Sequence, residues 1–302
     1  MNIQKTLIKI DKIQRRYTPI GFSIGVIKKY GDDQCGYKAA LLTYYGYLSL
    51  FPLLLVATTV LQIVSNSHIG ISNELLNNIT GRSSVLGGQL SVHVTSLHRN
   101  GIALAIGLLF LIYGARGVAA AFRSGVNDIW GITRNQQLGF PQSAINNTLI
   151  VVIGGLGLIA TAAITGTVAA LGHGLLPRVL SYLAGVVLLY LLFTYLIRAV
   201  LPKHIDSKDT YSAALSAAIG LIVLQIVGGL ILSKLLKNLD ALYSYFAISL
   251  GLLFWIYLQA QVIYYSVVIA AVKSQKLWPR SFSGQNLTDY DQHIIQIQKT
   301  RV

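Results

Sequence analysis

The chain contains, at residues 241–272, the stretch ALYSYFAISLGLLFWIYLQAQVIYYSVVIAAV, in which there is no Asp, Glu, Lys or Arg. A helix needs roughly 20 mostly apolar residues to cross a hydrocarbon core of about 30 Å. This stretch is long enough to cross, and it is too continuous for a strand of a membrane barrel. It therefore predicts a transmembrane helix.

Five further stretches of the chain share this lack of charge. They are residues 39–73, 100–115, 135–177, 179–197 and 210–233. Together the six stretches predict an all-α polytopic membrane protein, a bundle of six transmembrane helices with short amphipathic surface helices. The expected spans are about 41–64, 102–121, 146–170, 179–201, 211–233 and 245–272.

The composition leaves no room for a separate soluble domain. Hydrophobic residues make up 54% and charged residues 11% of the chain, whereas an ordinary soluble domain carries about a quarter charged residues. We expect a cytoplasmic amphipathic segment at 1–38, the six-helix domain at 39–272 and a cytoplasmic polar tail at 273–302. The outward segment 65–100 is expected to form two short amphipathic helices.

The basic residues are distributed unevenly between the two sides of the predicted bundle. Nineteen Lys and Arg residues lie on the side of the termini, and five lie on the other side. This asymmetry follows the positive-inside rule and places both termini in the cytoplasm. The expected partners of the net charge of +14 are anionic lipid headgroups rather than nucleic acid. A homo-oligomer or a complex with an envelope protein remains open.

The sequence lacks the residues that enzymatic chemistry needs. It has no G-x-S-x-G, Walker or H-E-x-x-H motif, and its single cysteine, Cys35, forms no pair. The ten acidic residues all lie outside the predicted spans, so a general base or a conventional proton relay lacks parts. We therefore expect no enzyme, no cofactor and no metal site.

Polar residues inside the predicted spans are the candidates for contact with a substrate or lipid. Arg116, which follows Tyr113, lies about 7.5 Å inside the expected inner boundary of the second span. It is either an interface anchor that reaches the headgroups or a contact for an anion or lipid phosphate. Gln225, Gln259 and Gln261 either line a polar path or hold helices together.

The residues in three blocks resemble the YihY/BrkB family of bacterial membrane proteins. The blocks are Leu42–Leu53 (LTYYGYLSLFPL), Tyr113–Gly117 (YGARG) with Asn127–Gly131 (NDIWG), and Tyr245 with Trp255 and Tyr257. The candidate family-motif and hinge residues are Tyr44, Ser49, Pro52, Gly114, Gly117, Asn127, Trp130, Trp255 and Tyr257. Pro52 is the candidate hinge because proline kinks a helix interior, and the alternative is a kink that is fixed by packing.

The resemblance implies a six-helix bacterial inner-membrane protein with both termini inside. An old ribonuclease label of the family finds no support in the residues of this chain. The last span of the family usually ends in a Gly-Ala-Glu-like element, where this chain has Ser266, Val267 and Val268. If a glutamate at that place couples transport to protons or cations in the family, this chain lacks it at the matching position, which weakens a cation-coupled version of a transporter.

Three functions remain open from the sequence. The first is a transporter-like protein that moves or shields an amphiphilic or anionic molecule, with a lipid as one candidate. The second is a non-transporting scaffold of cell-envelope machinery. The third, an intramembrane enzyme, is the weakest because the sequence offers no candidate acid, base or nucleophile for catalysis.

Overall fold

The computed structural model describes most of the transmembrane region. The described residues are 18–66, 101–133, 139, 142–170, 174–202, 205–235 and 241–278. The two surface helices predicted within 65–100, the first part of the amphipathic amino-terminal segment and most of the polar tail lie outside these residues.

Every regular element in the described ranges is an α-helix, which confirms the all-α prediction. The helices are α1 (Thr18–Asp32), α2 (Cys35–Asn66), α3 (Gly101–Trp130), α4 (Gln142–Ala170), α5 (Leu175–Val200), α6 (Ser207–Leu235) and α7 (Ala241–Ser274). Each of the six predicted spans coincides with one of the helices α2 to α7, and only the fourth span, at 179–201, ends one residue beyond its helix. Helix α3 continues beyond the expected span of 102–121 to Trp130.

Four of the helices are long and apolar enough to cross a membrane within the part of the chain that the structure describes. The segments are Gln142–Thr161, Leu175–Val200, Ser207–Gly228 and Ser249–Ser274. The predicted spans in α2 and α3 are not among the four. A multi-pass membrane protein is therefore supported, and the count of six spans stays a prediction.

The chain divides into two compact units. The smaller unit is Tyr44–Val118, and the larger unit comprises Met1–Thr43 with Ala119–Val302. Within the larger unit, α4 packs on α5, α5 on α6 and α6 on α7, while α1 packs on α7. The short loops between α4, α5, α6 and α7 make each of these consecutive pairs antiparallel.

Small residues allow the helices of the larger unit to approach closely. An added Cβ on Gly157 in α4 would overlap Leu192 of α5, and one on Gly220 in α6 would lie 2.7 Å from Val262 of α7. Such contacts are typical of small-residue ridges in membrane helices. However, α4 is the least buried of the four candidate spans, whereas α6 packs between α5 and α7.

The apolar face of helix α1 packs against α7 and the residues that follow it. An added Cβ on Gly25 would lie 3.1 Å from the carbonyl oxygen of Leu277, and the rings of Phe22 and Trp278 meet edge to face at 5.3 Å. Val26 is buried on the same face. The apolar face of this amphipathic segment therefore contacts the carboxyl-terminal end of α7.

Candidate functional site

The family-motif glycines of the smaller unit form a close crossing between α2 and α3. An added Cβ on Gly114 would lie 2.8 Å from the Cβ of Ser49, and one on Gly117 would overlap the ring of Tyr45. Only residues without a side chain fit at such a crossing. The glycines of the Tyr113–Gly117 block therefore have a structural role. The sequence identified them only as residues of a motif shared with the family.

The tyrosines of the same block surround this crossing. The ring of Tyr45 lies 5.2 Å from that of Tyr44 and 6.1 Å from that of Tyr113, in edge-to-face arrangements. Tyr44 and Tyr113 remain more than half exposed, so each ring has one side available to lipid or ligand. Pro52 lies inside the continuous helix Cys35–Asn66.

Arg116 is exposed on α3. No hydrogen bond or ion pair joins its guanidinium to another residue in the described part of the chain. Its neighbours along the helix, Ile112 and Tyr113, are exposed as well. Contact of Arg116 with a substrate or with lipid phosphate stays a prediction.

The three candidate glutamines are spread over α6 and α7. Gln225 is exposed, and Gln259 and Gln261 are half-buried. Gln259 and Gln261 are two positions apart, so they point to nearly opposite sides of α7. Since no hydrogen bond joins any of the three to another described residue, a common polar path stays a prediction.

The second half of the family motif is buried in the larger unit. Asn127 is only 2% exposed and Trp130 is 8% exposed. The Oδ1 atom of Asn127 and the Nε1 atom of Trp130 have no hydrogen-bond partner within the described structure. Buried polar atoms are usually paired, so these two motif residues carry unused hydrogen-bonding capacity.

Tyr264 of α7 is fully buried beside this motif, and the sequence did not single it out. Its hydroxyl donates a hydrogen bond of 3.0 Å to the carbonyl oxygen of Ala121 in α3. The ring occupies the space that a side chain at Gly125 would fill. The aromatic content of the last span was evident, but only the fold selects which tyrosine is enclosed.

A compact group of polar residues lies where α1 turns into α2. The Lys29 Nζ and the Asp33 carboxylate form a buried ion pair at 2.8 Å, and Lys38 Nζ lies 3.3 Å from the Asp128 carboxylate. The rings of Tyr30 and Tyr265 stack at 3.8 Å. These contacts connect the α1–α2 turn with both α3 and α7.

Burial alters the acidity of two groups in this turn. It raises the pKa of the Cys35 thiol to about 12, and the neighbouring Asp33 carboxylate acts in the same direction. It also raises the pKa of Tyr30 above its ordinary value, with a smaller contribution from Cys35. A protonated buried thiol is a poor nucleophile and a poor metal ligand.

Arg123 is a second buried cation, besides Lys29, that the sequence reasoning missed. It lies in α3, two residues beyond the expected end of the second span, and it is 7% exposed. Its Nη1 atom donates to the Ser143 carbonyl oxygen at 3.3 Å and to Asn147 Oδ1 at 3.2 Å. The sequence reasoning singled out Arg116 in α3 but not Arg123, because the burial of Arg123 depends on its contacts with α4.

The remaining motif positions, Trp255 and Tyr257, lie half-buried in the larger unit. Trp255 contacts Gly228, and the Tyr257 hydroxyl lies near Gly36. Ser266, Val267 and Val268, which stand in place of the family's Gly-Ala-Glu-like element, are all buried, and the Ser266 hydroxyl donates to the Val262 carbonyl. These three side chains of α7 are therefore packed inside the larger unit.

A small polar pocket lies between the end of α3, the start of α6 and the end of α7. Its volume is about 330 Å³, and its lining includes Trp130, Asp206, Asp209 and Ser274. Asp209 accepts a hydrogen bond from the Ser274 hydroxyl, and Asp206 accepts one from the Lys208 backbone. The described residues contain no group of three or more His, Cys, Asp or Glu side chains that could hold a metal.

These features define a multi-pass helical membrane protein whose motif residues form helix crossings and a buried polar region. The family model for virulence factor BrkB matches residues 26–286. The chain therefore belongs to this family, the YihY/BrkB family, as the three sequence blocks indicated. Neither the curated proteins nor the solved structures gave a match to this chain.

Proposed function

We propose that this protein is a transporter-like component of the bacterial inner membrane that moves or shields an anionic amphiphile, with a lipid as the leading candidate. The observation that carries the proposal is Arg116, a charged side chain in an apolar helix without a carboxylate partner among the described residues. Both termini lie in the cytoplasm, and no enzymatic step is assigned.

The physical reason is the cost of an uncompensated charge in or near hydrocarbon. Intramembrane charges usually pair with one another or with an ion or substrate. The crossing at Gly114 and Gly117 fixes one face of α3 against α2, and Arg116 lies outside that contact. An anionic headgroup supplies the missing countercharge, and the exposed ring of Tyr113 supplies an apolar surface for the attached chain.

The proposal is tested by lipid movement in liposomes that contain the purified protein. Fluorescent anionic and zwitterionic lipids are compared by their loss of leaflet asymmetry. The variants are Arg116→Gln and, as a matched control, Arg198→Gln, which removes an exposed arginine from the last turn of α5. With the parent protein and the control, we expect the anionic lipid to move between leaflets faster than the zwitterionic lipid. With Arg116→Gln, the rate for the anionic lipid should fall about tenfold, since one lost charged contact costs about 1.4 kcal/mol or more.

Two results would contradict the proposal. Equal rates for Arg116→Gln and the parent protein would remove Arg116 as a substrate contact. Absence of movement in every sample would remove unassisted lipid transport and would favour the scaffold alternative, in which the apolar helices organise other envelope proteins.

A further inference from the structure

Arg123 joins the end of one helix to the beginning of the next. Its side chain leaves α3 and reaches the first two turns of α4, where its Nη1 atom contacts Ser143 and Asn147. The neighbouring Asn146 donates a hydrogen bond of 2.8 Å to the Ala199 carbonyl at the end of α5. The two hydrogen bonds of Arg123 therefore hold its guanidinium beside the first two turns of α4, and the Asn146 bond connects the same part of α4 to α5.

The charge of Arg123 is not neutralised within the described structure. Both of its acceptors are neutral groups, and neither described ion pair includes it. A buried charge is normally paired, because the loss of hydration is costly. Burial lowers the pKa of Arg123 from its usual value, but arginine remains charged in proteins.

The local sequence offers no carboxylate to pair with Arg123. The connection from Gly131 to Pro141 contains no Asp or Glu, and the first turn of α4 contains no acidic residue. The nearest acid along α3, Asp128, already pairs with Lys38. The positive end of the α4 dipole is thus left without a negative side chain of its own.

Guanidinium donors beside a helix amino terminus form a common arrangement for binding phosphate. Both described hydrogen bonds of Arg123 use Nη1, and an arginine also carries Nε–H and Nη2–H donors for forked contacts. The start of α4 lies on the predicted cytoplasmic side, at the depth where phospholipid headgroups are found.

We propose that Arg123 and the amino-terminal turns of α4 form a binding site for a phosphate-bearing anion, supplied by a phospholipid headgroup or by a soluble phosphate compound. The site does not involve Arg116 and does not require transport. A scaffold could use the same site to hold a structural lipid, so this inference and the proposed function can fail separately.

The test uses the full-length protein in a maltoside detergent, which contains no phosphate. Thermal unfolding is followed while inorganic phosphate or a short-chain phosphatidylglycerol is added, with chloride at the same ionic strength as reference. A ligand that binds only the folded state raises the unfolding midpoint in a saturable way. The proteins compared are the parent, Arg123→Gln, Arg123→Lys and the control Arg198→Gln.

We expect saturable stabilisation of the parent and of Arg198→Gln. Arg123→Gln should weaken the apparent affinity roughly tenfold or more, and Arg123→Lys should give an intermediate loss because it keeps the charge but not the forked donors. Stabilisation by phosphate itself identifies a soluble ligand, and stabilisation by the lipid alone identifies a headgroup.

Two results would overturn the proposal. One is a parent protein that neither ligand stabilises beyond chloride, which is decisive even if Arg123→Gln does not fold. The other is that the ligands stabilise the parent, Arg123→Lys and Arg123→Gln equally.

Discussion

The two units of this protein place their polar side chains in opposite ways. In the smaller unit, Arg116 and Tyr113 are exposed, while the motif glycines fill the helix crossing. In the larger unit, Arg123 and Tyr264 are buried and hydrogen-bonded. The difference teaches that residues of one motif-bearing helix serve as packing elements, polar anchors or candidate ligand contacts, according to what the fold brings against them.

Among the changes that compare the two units, Gly125→Ala in the larger unit is expected to reduce stability most. An added Cβ would overlap the ring of Tyr264, which is fully buried and held by its hydrogen bond to Ala121. Because the ring has no space to move, we expect a loss of about 2–3 kcal/mol in the free energy of unfolding. Thermal unfolding in detergent, followed by tryptophan fluorescence, should show a midpoint lower by about 5 °C or more.

Gly251→Ala in α7 is the matched control for this change. An added Cβ there meets no atom within 4 Å, and alanine favours a helix more than glycine does. The control should keep or raise the midpoint. Equal midpoints for Gly125→Ala and the control would show that Tyr264 is not enclosed as the structure describes.

Gly117→Ala applies the same change to the smaller unit and should have a smaller effect. The added Cβ would overlap the ring of Tyr45, but Tyr45 is only half-buried, so its ring has more freedom to shift. We expect a loss of about 1–2 kcal/mol. The same thermal measurement checks the order of the two variants, and a larger loss at Gly117 than at Gly125 would reverse the comparison.

The sequence predicted the helices much better than it predicted the sites. Long charge-free stretches place α2 to α7 because hydrocarbon tolerates little else than helix, and the tyrosine, arginine and tryptophan blocks identified the family. The burial of Tyr264 and Arg123 could not be predicted in the same way. It depends on contacts between residues 143 positions apart in one case and 24 in the other, and no spacing within a single helix records these contacts.

Tyr264→Phe is expected to have a moderate effect that tests the polar side of the comparison. The change removes the hydroxyl and leaves the buried Ala121 carbonyl without this donor. A neutral hydrogen bond contributes about 0.5–1.5 kcal/mol to stability, so the midpoint should fall by a few degrees. Tyr44→Phe, at an exposed ring of the smaller unit, should change the midpoint by less than the measurement error, and equal shifts would argue against the buried hydrogen bond.

The smallest effect on stability, but a clear chemical difference, is expected at Cys35. Its thiol is fully buried, and its pKa is raised from the ordinary 9.0 to about 12. A raised pKa means that the folded state holds the proton more firmly than the unfolded state does, so the thiol stays protonated between pH 8 and 9. Since only the thiolate reacts with maleimide or disulfide reagents, the folded protein should react at least about a hundredfold more slowly than the unfolded protein.

The same reaction can be measured at an exposed position of the same helix. Tyr37→Cys in a Cys35→Ala background places a thiol at a residue that is 78% exposed, two positions away from the buried one. Mass spectrometry of the labelled chains is unambiguous because each contains one cysteine. The rate at position 37 should rise with pH from 8 to 9 as the thiolate forms, while the rate at Cys35 stays low. Rapid labelling of native Cys35 would instead show that the turn between α1 and α2 opens in solution, and that its buried polar contacts with α3 and α7 are only transiently made.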